Sequence, residues 1–221
     1  MSHSALSHAR KSRPRWLLRR FSPVLLGLGA LAAIAPLSSI QASISPKALV
    51  VQTAEVKQVY GAGFSTIFAI PISKKSVTSV NPAIKDIAAG FVSGYGIGYE
   101  RLHSTSHGAA PFSVTSTAAI YLQDSYPHRA MQETFANLST LVRRSQKYAT
   151  DVKASALSGV GNEAILETER LKSTTASYAV TVMFRRGRYT GTLAVLARTP
   201  LQPDSVIRLA KTVDARMQQA G

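Results

Sequence analysis

Two stretches near the C-terminus alternate between apolar and polar residues with a period of two, the spacing of a β-strand. In "SYAVTVMF" (residues 177–184) the side chains of Tyr178, Val180 and Val182 share one face. The segment "YTGTLAVLA" (residues 189–197) repeats this pattern. Gly187 lies between them, where a hairpin needs a residue with positive φ, and we predict a three-residue loop with a bulge. A further strand is predicted before them, in "EAILETERL".

Two other segments carry apolar residues at the three- and four-residue spacing of an amphipathic helix. Each follows a strand after a short loop that contains Asp and Pro. The apolar positions of the first helix, which follows Pro127, are Met131, Phe135, Leu138 and Val142. Those of the second, which follows Pro203, are Val206, Leu209, Val213 and Met217.

The preceding part of the chain predicts further short elements. Ser45 and Pro46 favour a helix start, and the helix either continues to Gly61 or begins only at "TAEV" after an extended stretch. "FSTIFAIPI" predicts a strand, and "NPAIKDIAAG" predicts a helix that ends at Gly90. Strands follow at residues 96–102 and in "FSVTSTAAIYLQ".

The order of these elements indicates a weak internal repeat of a strand–strand–helix unit. The polar segment 145–158 separates the two units, and we interpret it as a connector within one domain, because neither unit has enough strands to close a core alone. We therefore predict an α+β fold: a mainly antiparallel sheet with both amphipathic helices on one face.

The N-terminus has the pattern of an export signal. Residues 1–20 hold six basic residues and no acidic one, and residues 21–40 carry no charge. Cleavage after Ala42 fits the small residues there, although Ile40 is a poor fit at its position, and an uncleaved membrane anchor is the alternative. We predict a signal peptide or anchor over residues 1–42 and one extracytoplasmic domain over residues 43–221.

Charge and cysteine content narrow the function classes. The chain has no cysteine, which excludes disulfides, thiolate nucleophiles and Cys-ligated metal sites. Beyond residue 42 it has 20 basic and 11 acidic residues, a net charge of about +9. Outside the cytoplasm such a charge favours an anionic envelope surface as partner over nucleic acid, and we expect no nucleic-acid binding.

Short motifs between residues 48 and 217, namely "LVVQTAEV", "GVGNEA" and "FRRGRYTGTLAV", give the chain a resemblance to a broad class of bacterial extracytoplasmic domains. These are similar to the sensor domains of membrane Ser/Thr kinases and to some exported envelope proteins. The resemblance implies an α+β fold and an extracytoplasmic binding or sensing role, and it implies no catalytic residues.

Two motifs that suggest catalytic or cofactor chemistry have ordinary structural explanations. The glycines of "GYGIGYE" lead into a strand and lack a following lysine, so we interpret them as a turn or bulge and expect no nucleotide cofactor. His103 and His107 are separated by Ser-Thr-Ser and precede a glycine, so a loop is expected there, with no metal site.

The acidic residues do not predict an enzyme. Glu167 and Glu169 share one face of a strand, as paired catalytic carboxylates would, but neighbouring Arg170 and Lys172 favour cross-strand ion pairs. There is no nucleophile motif of the GxSxG type.

The expected function is therefore an exported, envelope-associated or secreted binding or sensing module. Its partner would be a small molecule, a lipid or an anionic envelope surface, with membrane attachment possible through an uncleaved anchor. A small secreted hydrolase with a non-standard site and a structural envelope component are the alternatives. The candidate ligand contacts are Tyr95, Tyr99, Arg185, Arg186 and Arg188, with the arginines expected at a solvated hairpin tip.

Overall fold

The computed structural model describes residues 44–75, 85–101, 111–172 and 177–221. Its strands are β1 (Phe64–Ile72), β2 (Phe91–Arg101), β3 (Pro111–Tyr121), β4 (Ala149–Ala156), β5 (Glu163–Leu171), β6 (Ser177–Arg186) and β7 (Tyr189–Ala197). Its α-helices are α1 (Thr53–Tyr60), α2 (Lys85–Gly90), α3 (Ser125–Ala136), α4 (Leu138–Ser145) and α5 (Pro203–Ala220). The α+β class is confirmed.

All seven strands form one antiparallel sheet in the order β1-β2-β3-β7-β6-β5-β4. The chain runs from an edge to the centre twice, first as β1-β2-β3 and then as β4-β5-β6-β7, so that β3 and β7 meet at the centre. Strands β1 and β4 are the two edges.

One sheet face, here called the front face, is covered by α5. Leu209 and Val213 of α5 belong to the same buried cluster as Val182 of β6 and Leu193 of β7. This cluster contains the apolar residues predicted for the second amphipathic helix, so that prediction is confirmed.

The opposite face, here called the back face, is covered by α3 and α4. Met131 of α3 and Leu141 of α4 pack against Ile165 and Met183. Met183 follows Val182 on the same strand, and successive strand residues point to opposite faces. The prediction that both amphipathic helices lie on one face is therefore wrong.

The positions of the helices also show how far the predicted internal repeat extends. The order strand–strand–helix occurs twice, as β2–β3–α3 and as β6–β7–α5. If the two units were symmetric copies, a two-fold axis perpendicular to the sheet would relate the antiparallel neighbours β3 and β7. Such an axis would leave both helices on the same face. Because α3 and α5 lie on opposite faces, the two units are not symmetric copies.

The segment before β1 follows the second of the two sequence interpretations. Residues 46–49 form a 3₁₀-helix capped by the Ser45 side chain, and α1 begins after an extended stretch. The Glu55 carboxylate accepts a hydrogen bond from the backbone N–H of Gln52 at 2.7 Å, which fixes the start of α1. Arg216 of α5 pairs with Glu55 and donates to the Val50 carbonyl, so the segment is held against the front face.

Two element boundaries differ from the predictions. The region 145–158, interpreted as a connector, contains the edge strand β4, which lacks an apolar stripe because its residues are mostly small, polar and exposed. The single helix predicted after Pro127 is two helices, since Asn137 leaves the helical conformation with φ −117° and ψ 25°.

None of the helices within the four described ranges is both long and apolar enough to cross a membrane. The predicted signal or anchor, residues 1–42, lies outside the described residues.

Candidate functional site

The turn between β6 and β7 is tighter than the sequence predicted. Arg186 pairs with Tyr189 in the register, so the loop has two residues, Gly187 and Arg188. Gly187 has φ +53°, which confirms the predicted positive φ. Its backbone N–H donates to Oδ1 of Asn162 at 2.8 Å, so the β4–β5 loop supports the turn.

Arg185 is buried beneath α3, with 9% of its surface exposed. Its guanidinium forms an ion pair with Glu163 of β5, and its Nη2 lies 2.9 Å from Nδ1 of His128 on α3. Gln132 of α3 also donates to Glu163. Arg185 therefore joins the sheet to α3, and the prediction of a solvated position is wrong for it.

Glu163 is ionised at neutral pH despite its burial. Burial alone raises the pKa of this carboxyl group, but hydrogen bonds from Arg185, Gln132 and His128, together with the charge of Arg185, outweigh it. The net effect is a pKa below the ordinary value for glutamate.

Arg186 points to the front face, where α5 supplies its partner. Its Nε and Nη2 donate to the two carboxylate oxygens of Asp214 at 2.8 and 2.6 Å. Hydrogen bonding to Asp214, and the charge of that carboxylate, raise the pKa of Arg186 further. Asp214 also accepts from the backbone N–H of Gly161 at 2.9 Å, so it ties α5 to the turn and to the β4–β5 loop.

Arg188 differs from the other two arginines. Its guanidinium carbon lies 5.5 Å from the centroid of the Tyr189 ring, a cation–π distance. Among the described residues no carboxylate forms an ion pair with it. Of the three predicted contacts in the turn, Arg188 is therefore the one whose charge is not neutralised by an ion pair.

An open cleft of about 740 Å³, here called the hairpin cleft, lies beside this turn. It is bounded by the β3–α3 loop, the β6–β7 turn and the end of α5. Its lining consists of residues 122–125, Asn162, residues 186–189, Met217, Gln218 and Gly221.

The cleft combines polar groups with an apolar wall. Arg186, Arg188 and Asp124 are its charged side chains, and Arg186 is neutralised by Asp214. Asp124 is exposed and makes no capping hydrogen bond to α3. Leu122, 57% exposed, contributes apolar surface. A cleft of this kind can hold a small molecule that has an anionic group, a donor group and some apolar surface.

The two predicted tyrosine contacts lie elsewhere. Tyr99 is fully buried in the front-face core, and its hydroxyl donates to the Val51 carbonyl at 2.8 Å. Tyr95 is half-buried, on the same face of β2, and packs against the same core. Neither lines the hairpin cleft. Tyr99 therefore holds the chain segment before α1 in place.

The glycine-rich run forms neither a phosphate loop nor a turn. Gly94, Gly96 and Gly98 all lie inside β2, and none has a positive φ. They share the back face, where a Cβ on Gly98 would overlap the ring of Phe68 from β1. The turn-or-bulge interpretation of these glycines is wrong, because all three lie within the strand, and Gly98 makes room for a side chain of the neighbouring strand.

Glu167 is a buried carboxyl group on the back face, with 7% of its surface exposed. Its register partners are Ala154 and Thr181, so the expected cross-strand ion pair is absent at this position. Its Oε1 accepts a hydrogen bond from Ser145 of α4 at 2.7 Å. Burial raises the pKa of Glu167, and the bond from Ser145 only partly offsets this. His103 and His107 lie outside the described residues.

This raised pKa predicts a stability that falls as pH rises. The folded state binds the proton of Glu167 more tightly than the unfolded chain, so stability declines from an unfolded pKa of about 4.3 up through the folded value. Glu167→Gln retains an acceptor for Ser145 and removes the charge. We expect it to increase the free energy of unfolding at pH 7 by roughly 1 kcal/mol.

Urea unfolding of both proteins between pH 4 and pH 8 measures this effect. The advantage of Glu167→Gln should shrink toward pH 4, where the wild-type carboxyl is protonated. A variant less stable than the wild type at every pH would contradict the assignment.

The residues that anchor the turn were not identified from the sequence. Asp214, Glu163 and Asn162 lie 28, 22 and 25 residues from their partners in the turn. Two of these three, Asn162 and Glu163, belong to the "GVGNEA" motif, which was the available signal.

Comparison with known proteins identifies a similar fold but no family. No protein-family model and no curated protein matches the chain. Among solved structures, the extracellular domain of PknH from Mycobacterium tuberculosis is similar, with a TM-score of 0.53 at 10% identity. The match covers 81% of this chain and 99% of that domain. PknH is a Ser/Thr kinase, so the likeness agrees in fold with the resemblance to kinase sensor domains.

Proposed function

We propose that this protein is an exported binding or sensing module whose ligand occupies the hairpin cleft. The observation that carries the proposal is the position of Arg188, which forms no ion pair with any described residue and which borders an open cleft of about 740 Å³. The fold, which is also that of an extracellular domain, and the signal-like residues 1–42 support an extracytoplasmic location.

The proposed ligand carries an anionic group that binds Arg188. Arginine presents several N–H donors in a planar fork, which suits carboxylates and phosphates, and it keeps its charge at any physiological pH. Asp124, on the β3–α3 loop that also lines the cleft, would accept from a hydroxyl or ammonium group of the ligand. Leu122 would contact the apolar part of the ligand.

The structure determines which substitution tests this proposal. Replacing all three arginines of the turn would remove the ion pairs to Glu163 and Asp214 and would destabilise the fold. Arg188→Ser changes the charge of the cleft and leaves both ion pairs in place. Arg198→Ser is a matched control, because Arg198 is exposed and does not line the cleft.

Native mass spectrometry of the chain isolated from its own host tests the binding. We expect wild-type protein and Arg198→Ser to retain a bound small molecule. Arg188→Ser should lose it, since a charge-assisted contact contributes roughly tenfold to hundredfold in affinity. Equal retention by both variants, or a wild type that carries no added mass, would contradict the proposal.

A further inference from the structure

The internal ion pairs do not reduce the excess positive charge of the protein. Three carboxylates, those of Glu55, Glu163 and Asp214, pair with arginines inside the fold. Each pair neutralises one positive charge. The net charge of about +9 beyond residue 42 is therefore carried by the remaining basic side chains, many of which are exposed.

Six of these side chains surround the outer edge strand β4. All six are exposed, and we call the group the basic corner: Arg143, Arg144, Lys147, Lys153, Arg170 and Lys172. Two acidic residues lie nearby: Asp151 of β4 is exposed and Glu169 of β5 is half-buried. The third acidic residue there, Glu167, is buried.

The fold brings these charges together from both faces of the sheet. The end of α4, on the back face, supplies Arg143 and Arg144, and the turn that follows it supplies Lys147. Lys172 joins them, because its backbone N–H donates to the Tyr148 carbonyl at 2.9 Å and its Nζ donates to the Gln146 carbonyl at 2.7 Å.

The front face contributes the remaining two basic residues. Ala154 packs with the back-face cluster, so its neighbour Lys153 points to the front. Arg170 pairs with Tyr178 in the register and lies 5.8 Å from the centroid of its ring. The positive charge thus wraps around the rim of the sheet.

We propose that the basic corner docks edge-on against an anionic lipid surface. A flat layer of headgroups can contact basic side chains from both faces of the sheet edge, since long Lys and Arg side chains can bend toward it from either face. Tyr148, 48% exposed with the Lys147 ammonium 5.4 Å from its ring centroid, offers the amphipathic ring that suits the headgroup region.

The site is separate from the hairpin cleft and does not depend on the proposed ligand. None of the six corner residues lines the cleft. In the turn, Arg185 and Arg186 are neutralised by ion pairs, so the turn offers a single unneutralised charge to a surface. The predicted signal or anchor over residues 1–42 would bring the chain to a membrane, which favours lipid over a soluble polyanion as the occupant.

Vesicle co-sedimentation of the chain isolated from its host tests this proposal. The probes are vesicles of phosphatidylcholine alone and vesicles that also contain about 30% of the anionic lipid phosphatidylglycerol. The ratio of the two affinities cancels any apolar insertion by residues 1–42. The corner variant carries Arg144→Gln, Lys147→Gln and Lys153→Gln. The control carries Lys57→Gln, Arg198→Gln and Arg208→Gln, all exposed positions, so both proteins lose three charges.

We expect the affinity ratio to fall about 100-fold in the corner variant, because each basic residue near an anionic surface contributes roughly fivefold. The control and Arg188→Ser should keep most of the wild-type ratio, and wild-type binding should weaken with salt. An equal fall of the affinity ratio in the control would overturn the proposed docking surface, because binding would then depend only on the net charge of the protein. A wild type that prefers soluble polyglutamate to anionic vesicles would overturn the lipid assignment.

Discussion

Glu163→Ala is expected to lower the free energy of unfolding by about 3 kcal/mol, the largest stability effect that we predict. The substitution leaves the buried guanidinium of Arg185 without its carboxylate. It also removes the acceptor for Gln132, so α3 loses a contact with the sheet. Urea unfolding at pH 7 measures the loss.

The stability of a double variant and the pH dependence of unfolding separate the loss of this ion pair from a general packing effect. Adding Arg185→Met to Glu163→Ala should recover part of the stability, because it removes the unpaired charge. The pKa of Glu163 is lowered in the folded state, so its stabilisation is present above the unfolded pKa of about 4.3 and is lost as pH falls through the folded value. A double variant no more stable than Glu163→Ala would contradict this account.

Asp214→Ala should cost about 2 to 3 kcal/mol, since hydrogen bonds to charged groups contribute that much when they are shielded from water. The carboxylate is only 9% exposed and accepts from Arg186 twice and from Gly161 once. Its loss should also speed hydrogen exchange at the Gly161 amide, because that N–H loses its acceptor. Thermal unfolding and amide exchange measure the two effects.

The matched control lies on the same helix. Asp204 is an exposed acid in the first turn of α5, where its interaction with the helix dipole contributes under about 1 kcal/mol. If Asp214→Ala were no more destabilising than Asp204→Ala, the role of Asp214 as the junction of helix, turn and loop would be wrong.

Local patterns predicted those elements that bury one apolar face. The strands β6 and β7 and the helix α5 have strong stripes, and their residues form the front-face core. Strand β4 has no such stripe, because at the edge of the sheet few of its side chains are buried. The break at Asn137 also escaped detection, since the apolar spacing runs through it.

Which face a helix covers is not encoded in its own periodicity. The stripes of α3 and α5 look alike in the sequence, yet one packs against Met183 and the other against Val182. That choice depends on the path of the loop after each strand, and the spacing of apolar residues carries no record of it.

The sequence indicated the basic turn but not the residues that its arginines contact. The sequence identified three arginines around Gly187, and alternation on the strand indicates that Arg185 and Arg186 point to opposite faces. Their partners, Glu163 and Asp214, come from distant elements. Only the packed structure shows that, of the three arginines, Arg188 is the one without an ion pair among the described residues.

The most direct test of the central claim is to map a bound ligand on the protein by amide chemical shifts. The isotope-labelled chain would be titrated with the small-molecule extract of its host's envelope. We predict shift changes at the amides of Gln123, Ser125, Gly187 and Gln218, which line the hairpin cleft, and their loss in Arg188→Ser. Shift changes confined to other parts of the described chain, or changes that Arg188→Ser leaves intact, would contradict the account.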